Sequence, residues 1–114
     1  MTRAMRRLII LIFLCVPVVP AYAADPQQAI APELWDRPRS ARNVLEQPAI
    51  RDAVRAHIAQ TGSRIVIHHG YGQNPLLQAG ELRAWLMTLA VDAARISLLN
   101  DVKPGESLRI EVLQ

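Results

Sequence analysis

The chain has 114 residues, of which 13 are Lys or Arg and 10 are Asp or Glu, and 51% are hydrophobic. Arg3, Arg6 and Arg7 all stand in the first seven positions; without them the balance is ten basic against ten acidic residues, so the charge gives no support to nucleic-acid binding. The single cysteine, Cys15, lies in the same N-terminal stretch, and the rest of the chain has no thiol for a disulfide or a cysteine–metal site.

The first 23 residues read as a cleavable secretory signal. Arg3, Arg6 and Arg7 form a positive start, Leu8 to Val19 an apolar stretch broken only by Cys15 and Pro17, and Ala21-Tyr22-Ala23 a small-x-small cleavage site. A retained anchor is the rival reading, but Leu8 to Ala24 is 17 residues with two prolines, short of the about 20 a spanning helix needs. A periplasmic or secreted protein with no stable membrane span after cleavage is therefore expected. About 90 residues then remain, enough for one domain with a modest core.

Residues 24–47 read as an extended, Pro-rich arm, with Pro26, Pro32 and Pro38 and no sustained period. Its conspicuous residue is Trp35, which suits either a cap on the core or an anchor for a partner. Ser40 is placed to cap a short turn through Val44 and Leu45. The small domain is expected over 48–114. Pro48 suits the first position of a helix in which Ile50, Ala53, Val54, His57 and Ile58 recur at helical spacing, ending at Thr61-Gly62. Arg64 to His69 is a β-branched strand bounded by glycines. Gly70 to Pro75 is a loop, and a second helix runs from about Leu76 to Leu89 on an apolar stripe of Ala79, Leu82, Leu86 and Leu89. A second strand spans Arg95 to Leu99, Pro104-Gly105 makes a turn, and Leu108 to Val112 alternates as a half-buried strand.

The order α-β-α-β-β predicts an α/β (α+β) two-layer sandwich, with the two main helices on one face of a small mixed sheet. The first two strands should be parallel across their helical crossover. The last two are close enough in sequence to pair as a hairpin. Parity puts Ile65, Ile67 and His69 on the core face and Arg64, Val66 and His68 on the other. Ser97, Leu99, Arg109, Glu111 and Leu113 should share that second face. It is a mixed surface, open to solvent, to the arm, or to a partner or second copy; Val66, Leu99 and Leu113, with Trp35, are its candidate partner contacts.

From about Pro48 to Leu113 the chain resembles a shortened OmpA-like domain, the periplasmic module that binds peptidoglycan. In that family a helix leads into an apolar-x-apolar-x-Gly-His-Thr-Asp strand. A loop, an Asn-x-x-Leu-Ser-x-x-Arg-Ala helix, a Gly-Ile/Val … Arg/Lys-Ile exit and a closing strand follow. Here Ile65 to His69 resembles the strand, Arg83-Ala84 the Arg-Ala pair, Val91 to Ser97 the exit and Leu108 to Val112 the closing strand. The resemblance implies a non-catalytic envelope module that binds a peptidoglycan fragment or an envelope protein. Its ligand-binding residues would lie at Tyr71, Gly72, Asn74 and Arg83. The family's ligand-binding Asp falls on Tyr71 and its Leu-Ser pair on Ala79-Gly80. Only Arg83 therefore carries over, able to bind a carboxylate but not to complete a site for a zwitterion.

Other chemistry has less to stand on. No serine sits in a nucleophile turn and no carboxylates pair at a convincing spacing, so no enzyme and no cofactor are expected. Gly70-x-Gly72 precedes a helix as phosphate loops do, but it lacks the third glycine and the Lys-Ser/Thr. His57, His68 and His69 are the residues a periplasmic metal-binding protein would use, His57 and His69 as a pair with Asp92 or Glu81. Neighbours on a strand point to opposite faces, however, so His68 and His69 cannot grip one ion on a regular strand. The oligomeric state is left open.

Overall fold

The structure, a computed structural model, describes residues 27–114. The expected signal segment, with its cleavage site, lies outside the described residues. The elements are β1 (Gln27–Ala29), a 3-10 turn (Pro32–Asp36), α1 (Ala41–Glu46), α2 (Pro48–Ala59), β2 (Arg64–Gly70), α3 (Gln73–Thr88), a 3-10 turn (Ala93–Arg95), β3 (Ile96–Val102) and β4 (Arg109–Leu113). The fold is α+β, with a four-stranded mixed sheet in the order β1-β4-β2-β3.

One core joins the helices to one face of the sheet. Ala49, Ile50, Ala53 and Val54 of α2 and Ala79, Leu82 and Leu86 of α3 pack with Ile65, Ile67, Ile96 and Ile110. Alternation along β2 and β4 sends these isoleucines to a single side. Both long helices therefore lie where their apolar stripes require. Val112 is partly buried against the same cluster.

Strands β2 and β3 are parallel, as expected for a strand–helix–strand unit, with Ile65 opposite Ile96 and Ile67 opposite Leu98. The expected hairpin does not form. β4 pairs antiparallel with β2, placing Ile67 opposite Ile110, so it lies on the far side of β2 from β3. The reason is visible in β2, which is buried from Ile65 to Gly70. A strand covered on both faces belongs in a sheet's centre with a neighbour on each side. A β3–β4 hairpin would have left one of its edges unpaired by β4.

The expected extended arm is also corrected. Residues 27–47 are integral to the domain: β1 pairs antiparallel with the outer edge of β4, Gln27 opposite Glu111 and Ala29 opposite Arg109. The amide of Ile30 donates to Leu108 O at 2.9 Å. Ile30, Leu34 and Val44 are buried in the common core, and Ser40 caps α1 by accepting from the Asn43 amide at 3.1 Å. The prolines punctuate short elements here. Pro32 and Pro48 occupy first-turn positions, where a missing N–H costs nothing.

Helix α3 starts earlier than its apolar stripe suggests and ends in a Schellman motif. The Val91 amide donates to Leu86 O at 2.9 Å and the Ala90 amide to Met87 O at 3.0 Å, with Ala90 at φ +76°. Val91 and Leu86 are both buried, giving the hydrophobic contact that accompanies this cap. A side chain at positive φ is strained, whereas glycine is not. Ala90→Gly is expected to raise stability by about 1 kcal/mol, read as an increase in the urea midpoint at unchanged slope.

Candidate functional site

The sheet face opposite the helices carries the largest polar constellation among the described residues. His68, on central β2, is only 4% exposed. Its Nδ1 lies 2.8 Å from Asp101 Oδ1 and 3.0 Å from Oδ2 on β3, and its Nε2 lies 2.7 Å from Glu111 Oε1 on β4. One imidazole thus ties three strands together. Asp101 reaches it through a β-bulge: His69 pairs with Asn100 but Gly70 pairs with Val102, leaving Asp101 as the extra residue. Bulges re-aim side chains in this way. Gly70 lets the strands approach, since a Cβ there would lie 3.2 Å from Val102 O.

Alternation put Glu111 on the same face as His68, and the β2–β4 pairing brings them together. Asp101 was missed because the second strand was expected to end at Leu99, whereas β3 continues to Val102. Of the candidate partner contacts, Leu99 and Leu113 are exposed on this face, at 48% and 41%. Val66 is not available as expected. It is buried, flanked by its cross-strand neighbours Ser97 and Glu111 on either side of the central strand.

Trp35 is part-buried and packs against the core, so it caps the domain. Arg39 lies over its ring, 5.5 Å from the centroid. Arg39 also makes a two-pronged contact to Glu81 on α3, Nε to Oε2 at 2.7 Å and Nη2 to Oε1 at 2.9 Å. Trp85 Nε1 donates to the same carboxylate at 3.2 Å. The Arg39 hydrogen bond holds the Glu81 carboxyl below the usual carboxylate range. This clasp fastens the N-terminal segment to α3 and uses up Glu81.

The histidines do not converge. His57 Nδ1 is 2.7 Å from Ser63 Oγ, and His69 Nδ1 donates to Gly70 O at 3.0 Å. Asp92 accepts from the Ala94 amide at 3.0 Å as a cap. Both His68 nitrogens face carboxylates. Among the described residues no group of three or more His, Cys, Asp or Glu is arranged to hold a metal.

The expected ligand residues are spread along α3. Tyr71 is 75% exposed, Gly72 has φ +109° at the helix start, and Asn74 is exposed in the first turn. Arg83 lies ten residues beyond Gln73, about 15 Å along the helix axis. It stands between Ala79 and Leu86, both buried, at the margin of the core-facing stripe. Among the described residues four arginines are half-buried: Arg39, Arg51, Arg83 and Arg109. Arg39 binds Glu81, Arg109 lies 3.0 Å from Glu106, and Arg51 stands 4.0 Å from Asp52. Arg83 alone among these four has no carboxylate within reach and no hydrogen bond.

No family model matches the chain, and neither curated proteins nor solved structures give a match. The unpaired guanidinium of Arg83 and the closed His68 cluster are therefore the features from which function has to be argued. They differ in kind: the first has unfilled donors, the second has every ring nitrogen engaged.

Proposed function

We propose that this protein is an exported, non-catalytic binding module of the cell envelope that receives a carboxylate of a peptidoglycan fragment at Arg83. The observation that carries the reading is the half-buried Arg83 guanidinium without an acidic partner. A planar fork of donors held at the margin of the core matches a carboxylate in two-pronged fashion. The element order supports the same reading. A helix, a strand, a loop, the Arg-Ala helix, an exit and a closing strand follow one another as in the OmpA-like domains the sequence resembles. Tyr71, standing where that family has its ligand-binding Asp, supplies no anionic partner for an ammonium. The ligand group is accordingly an anion and not a zwitterion. Export rests on the charged start, apolar stretch and Ala21-Tyr22-Ala23 of the N-terminus.

The processed chain is expected to co-sediment with purified peptidoglycan. Arg83→Ala should weaken this about tenfold or more, the worth of a charge-assisted hydrogen-bonded pair. Arg83→Lys should fall between, because an ammonium keeps the charge and loses the fork. Equal sedimentation of wild type and Arg83→Ala, or none by either, would remove the cell-wall reading. In the second case, capture of an envelope protein would be the remaining form of the module.

A further inference from the structure

The contacts of His68 cannot all be satisfied by a neutral ring. A neutral imidazole has one N–H, and an ionised carboxylate accepts but does not donate. Yet carboxylate oxygens stand 2.8 Å from Nδ1 and 2.7 Å from Nε2. Both contacts are attractive only if a second proton is present, and an imidazole nitrogen is ordinarily a stronger base than a carboxylate. The geometry therefore calls for an imidazolium donating from both nitrogens.

The two acceptors differ in freedom. The Glu111 side chain is 12% exposed and lies on β4, between β1 and β2. The Asp101 side chain is 47% exposed and sits on the bulge near the end of β3, the sheet's edge strand. If the ring gives up one proton, it keeps Nε2–H to the enclosed Glu111 and turns a lone pair on the Asp101 carboxylate. Asp101, the member with access to water, is the one to leave. Beside it is a depression of about 250 Å³ lined by Gln27, Asp101, Val102, Lys103, Glu106 and Arg109.

The other charged groups nearby do not replace the missing proton. Arg109, the cross-strand partner of His68 on β4, pairs with Glu106 at 3.0 Å. Arg64, four residues earlier on β2, reaches Ser97 Oγ at 3.4 Å. Lys103, in the loop after β3, has no carboxylate within salt-bridge distance. The helices pack on the opposite face and present no charge to His68.

We propose that His68 is a proton-operated latch: doubly protonated, it fastens the bulged end of β3 to the sheet, and singly protonated it releases Asp101 into the adjoining depression. Release loosens the Gly70–Val102 pairing and the loop that follows. It also places a free carboxylate between Lys103 and Arg109.

The test is NMR on the processed chain, with nitrogen-labelled histidine and amide exchange corrected for its intrinsic pH dependence. Wherever the latch is closed, both His68 ring nitrogens should carry protons. As the pH rises and one proton leaves, protection at Gly70 and Val102 should fall about tenfold, the worth of one hydrogen bond to a charged group. Asp101→Asn supplies the decisive contrast. Its amide donates to a neutral Nδ1 while Nε2–H stays on Glu111, so this variant should hold the β3 end closed across the pH range. The latch is refuted if protection in the wild type is flat through the ring's titration. An Asp101→Asn profile that tracks the wild type, or a ring with one proton at the pH where both contacts persist, refutes it equally. His68→Phe, whose ring has no donor for either carboxylate, should show low protection at every pH.

Discussion

Replacing Ile30 with alanine should cost the domain about 2–5 kcal/mol, the range for emptying a fully buried aliphatic site. Ile30 is 0% exposed and belongs to the same cluster as Ile50, Ile67 and Leu82. Its amide is tied to Leu108 O at 2.9 Å, so the side chain cannot slide away to relieve the cavity without breaking the β1 edge. Urea unfolding measures the loss. A dispensable arm would give a change near zero. Leu34→Ala, on the 3-10 turn that follows, should behave in the same way, since Leu34 is 3% exposed. Both substitutions leave Arg83 untouched. Any loss of peptidoglycan binding that tracks their loss of stability would reflect unfolding and not the site.

The long elements were legible because their patterns are strong. A 3.6-residue stripe marks α2, and β-branched residues between glycines mark β2. Gly62 and Gly105 take positive φ where turns were expected, at +88° and +85°. The N-terminal segment was not legible, because its elements are too short for any period to show. β1 has three residues, and its inward residue, Ile30, follows the strand. Pro26, Pro32 and Pro38 read as irregular chain, although Pro32 begins a helical turn. Strand order failed for a different reason. Proximity in sequence favours a β3–β4 hairpin, but the burial of β2 on both faces requires neighbours on both sides. That requirement is tertiary and becomes visible only when His68 and His69 are counted as buried.

The site was legible in part. Parity alone placed His68 with Glu111 and sent His69 to the other face. The bulge that delivers Asp101 has no sequence signature beyond Gly70 and the adjacent Asn100 and Asp101. Glu81 looked like a free carboxylate until Arg39, 42 residues earlier, was found on it. A long-range ion pair leaves no local trace in the sequence. The same holds in reverse for Arg83, whose lack of a partner is a property of the fold.

The two faces of the sheet predict opposite responses to the same kind of truncation. Ile67→Ala should cost about 2–5 kcal/mol, because Ile67 is 0% exposed beneath both helices in the core. Leu99→Ala, on the adjoining strand but on the face away from the helices, should cost much less, because Leu99 is 48% exposed and loses few contacts. Strand propensity differs between central β2 and edge β3 by about 1 kcal/mol at most, so a larger difference reports burial. Urea unfolding of the two variants at one pH measures it. If Leu99→Ala proved as costly as Ile67→Ala, something would have to cover the open face, and the His68 cluster would then sit inside an interface and not at a surface. A small cost for Leu99→Ala beside a large one for Ile67→Ala leaves that face open to solvent, as the release of Asp101 requires.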